Sequence, residues 1–117
     1  MTRQELLFRG LLWNPFPMFE IHVCNRKNGQ LLRAFALGDT DELIVGRDET
    51  CDVQINSRSV SREHCSLEHS GGLLTLRDLE STGGTFLDGE AVSSIQIESG
   101  TEFAVGPAII KVFDTDD

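Results

Sequence analysis

The feature that most constrains how this chain can fold is the spacing of its turn residues. From Cys65 to Leu79 it reads CSLEHSGGLLTLRDL, where Cys65, Leu67 and His69 alternate with Ser66 and Glu68 before Gly71-Gly72 opens a second run. Side chains that alternate with period two stand on opposite faces of a strand. A Gly-Gly pair between two such runs supplies the positive φ values of a tight hairpin turn. The same grammar recurs along the chain. MFEIHVC stops at the NRKNG turn around Asn28 and Gly29, LLRAFAL ends at Gly38-Asp39, and LIVG is cut short by Gly46. VQI precedes a polar loop, and TFLDGEAV turns at Asp88-Gly89. SIQIESGTEFAVGPAIIKVF gives three further short strands, punctuated by Gly100 and Gly106-Pro107. About ten short strands without a long amphipathic helix predict an all-β sandwich or barrel, with helix only as short turns. In such a fold the loops at one end carry function, and the loops rich in reactive groups are GRDETCDV, NSRSVSREH and ESTGGTF.

Composition narrows the functional classes. A chain of 117 residues with 39% hydrophobic content can close one core without disulfide staples. The formal charge of −9 opposes a general nucleic-acid or anionic-membrane surface, so any anion site must be local. Three cysteines with no CxxC pair fit a reducing, cytoplasmic compartment, and the compact style of the chain points to a bacterial source. Residues 1–17 hold short apolar pieces broken by Arg9 and Gly10 and closed by Pro15 and Pro17, so neither a signal peptide nor a membrane span is expected. That segment is set apart as flexible or partner-docking, residues 18–114 as the domain, and 115–117 as an acidic tail.

Three chemistries compete for the density of groups in SVSREHCSL, Ser59 to Leu67. Nucleophilic catalysis would pair Ser61 or Ser59 with His64 and Asp78, but no G-x-S-x-G elbow surrounds either serine. A histidine that pins a loop is preferred, and no enzyme is expected. A metal site would gather His22, Cys24, Cys51, His64, Cys65 and His69, which lack the paired spacings of zinc ligands. Cys24 and Cys65 are instead expected on the apolar faces of their strands, and no metal or cofactor is expected. No GxxxxGK[ST] is present, so the glycines are turn makers rather than a nucleotide cradle. An anion pocket would use Arg47, Arg58 and Arg62 with the hydroxyls of Ser57, Ser59, Ser61, Ser81 and Thr82. Arginine forks beside hydroxyl donors suit a dianionic phosphate. The alternative, in which these arginines pair with Asp48, Glu49, Asp52 and Glu63 as surface ion pairs, stays open at this point.

Gly46-Arg47 after a buried strand, Ser61-Arg62-Glu63-His64, Asp78-Leu79, Ser81, and Gly84-Thr85 ahead of the Asp88-Gly89 turn together resemble the forkhead-associated (FHA) domain. Its pattern runs GR, S-R-x-H, then D-L-x-S-x-N-G-T, and the likeness continues over Ile97 to Gly106. The resemblance implies a two-sheet β-sandwich of about ten or eleven strands that binds phosphothreonine-containing peptides or proteins through loops at one end. It implies that Arg47 contacts the phosphate and that Ser61 donates both hydroxyl and backbone N–H. Arg62, Arg58 and Thr82 stand beside it, and Gly46, His64, Asp78 and Gly84 serve as framework. The chain departs from the family at Gly83, where the family has an asparagine whose amide holds the peptide backbone. Glycine is expected there in a left-handed conformation. Lost amide bonds would weaken peptide binding, so the alternative is a phospho-independent scaffold that self-associates through residues 1–17.

Overall fold

In the computed structural model, which describes residues 18–38 and 41–115, the chain forms eleven strands and, among the described residues, no helix. They are β1 (Phe19–Asn25), β2 (Leu31–Leu37), β3 (Glu42–Gly46), β4 (Val53–Gln54), β5 (Cys65–Ser70) and β6 (Leu73–Asp78). β7 (Thr85–Leu87), β8 (Glu90–Ala91), β9 (Ser94–Ile97), β10 (Glu102–Val105) and β11 (Ala108–Asp114) follow. One sheet has the order β2-β1-β11-β10-β7-β8 and the other β4-β3-β5-β6-β9. All pairings are antiparallel except β3 with β4.

The alternation in the sequence decides which face each sheet turns inward. Ile21, Val23, Leu37, Phe103, Ile110 and Val112 from the first sheet meet Val45, Val53, Cys65, Leu67, Leu74 and Leu76 from the second. Each such large side chain taken from water contributes about 1.5–3 kcal/mol, so this layer is the main source of stability. In β6, Leu74 and Leu76 are buried while Leu73 and Arg77 are exposed. The hairpin glycines behave as the turn requires, with φ of +60° at Gly71 and +83° at Gly72.

Two side chains are buried in ways that the sequence does not announce. Cys65 sits in the core, but Cys24 shares the parity of Glu20 and His22, not of Ile21 and Val23. It is buried on the outer face opposite Ile109, beside an irregularity in the β1–β2 register between Val23 and Cys24. His69, also on an inward position, is fully buried with its ring edge-on to Phe19 at 5.0 Å. Neither of its nitrogens has a hydrogen-bond partner. The proposed N-terminal segment, and residues 116 and 117 of the tail, lie outside the described residues.

Candidate functional site

The loops after β3, β4 and β6 converge at one end of the sandwich because backbone bonds tie them to one another. Arg47 N–H donates to the Ser61 carbonyl at 2.9 Å, and Asp48 N–H donates to that of Arg62 at 3.1 Å. This approach needs Gly46: a Cβ there would stand 2.1 Å from the Arg62 oxygen and 2.9 Å from Cys51 Sγ. The Cys51 thiol donates to the same Arg62 carbonyl at 3.0 Å, and burial raises its pKa. On the other side the loop rests on the β10–β11 turn. A Cβ at Gly106 would be 2.7 Å from Val60 Cγ2 and 2.9 Å from Ser59 Oγ.

His64 is the brace, fully buried. Its Nδ1 accepts the Ser61 N–H at 3.1 Å, which places the ring proton on Nε2, and Nε2–H donates to the Gly84 carbonyl at 2.8 Å. The imidazole thereby joins the β4–β5 loop to the β6–β7 loop. Asp78 organises the latter. Its Oδ1 accepts from Ser81 Oγ at 2.6 Å and Thr85 Oγ1 at 2.8 Å, and its Oδ2 accepts the Ser81 N–H at 3.1 Å. Burial alone would raise the Asp78 pKa, but the Ser81 and Thr85 bonds outweigh it and hold it below the usual carboxylate value. Ser81 Oγ in turn accepts the Gly84 N–H at 3.0 Å. The tight turn this forms contains Glu80 at φ +56° and Gly84 at φ +86°.

Above this framework lies a pocket of about 450 Å³ lined by Arg47, Arg58, Ser59, Val60, Ser61, Arg62, Thr82 and Gly83. Of the groups assigned to an anion pocket from sequence, Arg47, Arg58, Arg62, Ser59, Ser61, Thr82 and Gly83 border one cavity, whereas Ser57 and Ser81 do not line it: the Ser57 hydroxyl bonds that of Ser59, and the Ser81 hydroxyl bonds Asp78 and Gly84. Arg47 is oriented by a bond from its Nε to the Val60 carbonyl at 3.0 Å. No ion pair among the described residues involves Arg47, Arg58 or Arg62, so the neighbouring carboxylates do not neutralise them by direct contact. Ser61 Oγ accepts the Thr82 N–H at 2.9 Å, which leaves its hydroxyl proton available.

Two expectations change on this geometry. The Ser61 N–H is already given to His64, so the hydroxyl is the group Ser61 can offer a ligand. Gly83 does not adopt a left-handed backbone; that conformation belongs to Gly84. A Cβ at position 83 would meet the Ser59 carbonyl at 2.9 Å, a contact between two loops that no sequence spacing reveals. The catalytic arrangement is also not assembled, because both His64 nitrogens face backbone groups and Asp78 bonds Ser81 and Thr85. Among the described residues no three of the histidines, cysteines and carboxylates group as metal ligands.

Comparison with known proteins gives one consistent result. The sequence profile described as the FHA domain matches residues 43–106. A homolog of a protein phosphatase 1 regulatory inhibitor subunit from Arabidopsis thaliana is 30% identical over 84 residues, or 71% of this chain. The match covers 22% of that relative, so the chain spans about a fifth of its length. The crystal structure of the FHA domain of a Chlamydia trachomatis protein superposes with a TM-score of 0.74 at 22% identity, covering 83% of this chain and 97% of that one. A chain solved in a study of phosphothreonine-dependent FHA domain interactions gives 0.70 at 25% identity, covering 82% and 95%.

Proposed function

The chain belongs to the forkhead-associated family, whose members are interaction modules and not enzymes, and from that premise we propose that it recognises phosphothreonine-containing proteins in signalling or assembly. The observation that carries this reading is the convergence of Arg47, Arg58 and Arg62 with the Ser61 hydroxyl on one pocket, with no carboxylate in contact with the cations. On a chain of net charge −9, that pocket is where a dianion is least repelled. Arg47 is held by its Nε, so its two terminal nitrogens are free to take two phosphate oxygens side by side. Ser61 adds a hydroxyl bond, and Arg58 and Arg62, both exposed on the rim, steer the ligand and contact its flanks. Thr82 and Gly83 form the wall along which the peptide backbone runs. The family's amide is missing at Gly83, so the phosphate supplies a larger share of the affinity than in a relative with asparagine. The cytoplasm is the compartment proposed, consistent with the free thiols of Cys24, Cys51 and Cys65.

Fluorescence polarisation with a degenerate phosphothreonine peptide library, beside phosphoserine and unphosphorylated controls, tests the proposal. Selective binding of the phosphothreonine pool supports it; equal or absent binding of all three rejects it. Arg47→Ala removes charge-assisted bonds of about 1.5–3 kcal/mol each and is expected to weaken binding at least tenfold. The melting temperature should fall only slightly, by the loss of the single bond to Val60.

A further inference from the structure

The site occupies the loop end of the sandwich and leaves the sheet edges unexplained. Of the four edge strands, β4 and β8 are two residues long and β9 is four, but β2 presents seven, LLRAFAL. Among the described residues it pairs only with β1, which leaves half of its backbone donors and acceptors facing outward. Leu31 and Leu32 are each about half exposed, at 51% and 53%, and Ala34 and Ala36 further along the strand are exposed as well. The strand carries no acidic residue and no proline, and its one charge is Arg33. That guanidinium turns inward over Phe35, 5.7 Å from the ring centroid, and touches the Gln54 carbonyl on the facing sheet.

We propose that this edge is where a second copy of the chain docks, by antiparallel pairing of β2 with β2 about a two-fold axis at Ala34. A two-fold axis perpendicular to the sheets is what joins two identical antiparallel edges, and it sets side chains of like parity opposite one another. That leaves few registers. Centring on Arg33 uses only residues 31–35 and sets two guanidinium groups face to face, which is unfavourable. Centring on Phe35 sets each Arg33 opposite the fully buried Leu37 and not opposite a ring. Centring on Ala34 sets Arg33 opposite Phe35 and Leu32 opposite Ala36, with the β1–β2 irregularity at Leu32 and with Leu31 left at the end of the paired stretch. Each cation then meets the ring of the other copy as well as its own, an electrostatically complementary pair. About four to six new backbone hydrogen bonds form, depending on which parity faces out. The buried area stays below the roughly 1,000 Å² of a tight complex, so the dimer is weak and reversible.

The pairing has a consequence for ligands. Arg26 N–H donates to the Pro107 carbonyl at 2.9 Å, and Gly106 abuts Ser59, so the Leu31 end of β2 lies at the loop end and Leu37 at the other. Antiparallel pairing turns the two loop ends in opposite directions. One dimer then bridges two separate anionic partners and does not grip two neighbouring phosphates on one peptide. The docking itself is independent of the phosphothreonine reading.

Sedimentation equilibrium of the full 117-residue chain from micromolar to millimolar concentration tests this, with Ala34→Lys, Ala34→Glu and their equimolar mixture. Ala34 is exposed, so both variants are expected to keep the native circular dichroism spectrum. The wild type should approach twice its monomer mass, more readily as salt screens the −9 charge of each copy. Each variant alone should associate about fivefold or more weakly, because like charges meet at the axis, and the mixture should recover association and lose it as salt rises. A wild type that stays monomeric, or association indifferent to position 34, overturns the proposal. So does association abolished by Leu6→Asp with Leu12→Asp yet intact in Ala34→Lys, which would place the contact in residues 1–17.

Discussion

Substituting Gly83 by alanine and by asparagine sets two effects against each other. A Cβ at this position lies 2.9 Å from the Ser59 carbonyl, so either substitution must push the β4–β5 loop back by a few tenths of an ångström. The loop resists, since Val60 is buried, the Ser61 N–H is held by His64, and the Ser61 carbonyl by Arg47. Overpacking of this kind costs about 1 kcal/mol or slightly more, so Gly83→Ala should weaken phosphopeptide binding about fivefold by displacing Ser61. Backbone strain adds nothing, because Gly83 is not left-handed, and the loss of unfolded-chain entropy stabilises by about 0.4–1 kcal/mol. The melting temperature should therefore stay near that of the wild type. Asparagine brings the same Cβ plus an amide able to make about two hydrogen bonds to a peptide backbone, worth roughly 1 kcal/mol each. Gly83→Asn should thus bind about 10- to 30-fold more tightly than Gly83→Ala and only about two- to sixfold more tightly than the wild type. Isothermal titration calorimetry on all three proteins with one phosphothreonine peptide decides it. Equal affinities for alanine and asparagine would refute the amide argument, and an alanine variant as tight as the wild type would refute the loop contact.

Other outcomes follow from single groups. For Asp78, the folded pKa lies below the unfolded one, so its contribution to stability is present at neutral pH and is lost as pH falls through the folded value. Asp78→Asn, which cannot accept the Ser81 N–H at its Nδ2, should cost about 1–3 kcal/mol at pH 7, and the gap in melting temperature to wild type should shrink below about pH 4. A gap that is constant down to pH 2 would refute this. His69→Leu replaces a fully buried imidazole with no hydrogen-bond partner by an apolar side chain of similar size. It is expected to stabilise by about 1–2 kcal/mol, read as a rise in melting temperature, and a fall would contradict the account. Gly46→Ala forces a Cβ to 2.1 Å from the Arg62 carbonyl oxygen and should cost at least about 3 kcal/mol in chemical denaturation; a near-neutral result would show that the β3 end is not rigid.

Where the sequence was sufficient, the deciding physics was local. Period-two alternation located β2 at residues 31–37, and Gly71-Gly72 and Asp88-Gly89 have the positive φ values their turns demand. The family pattern brought Arg47, Ser61, Arg62, Thr82 and Gly83 to one place, where the pocket indeed holds them together. What escaped depends on which two distant atoms touch. The apolar face is the one expected for Cys24, although its parity is that of Glu20 and His22; what neither strand encodes alone is the pairing irregularity beside which it is buried on the outer face. The donor inventory of Ser61 depended on His64, three positions on, turning its Nδ1 back onto the chain. The crowding at position 83 is written in no local spacing, because its neighbour Ser59 arrives from another loop. His69 followed the alternation into the core, where polar character is costly, and nothing near it in sequence signals that it would find no partner.

The chain of bonds from Asp78 through Ser81 and Gly84 to His64 and Ser61 has a practical consequence. The floor of the pocket is dictated from beneath, by groups whose bonding does not involve the exposed side chains of Arg58, Arg62 and Thr82. With Gly83 retained, because a Cβ there meets the Ser59 carbonyl, those three positions can be randomised together in a display library with the scaffold kept constant, and new binding reagents selected from it should melt within a few degrees of one another while differing widely in what they capture.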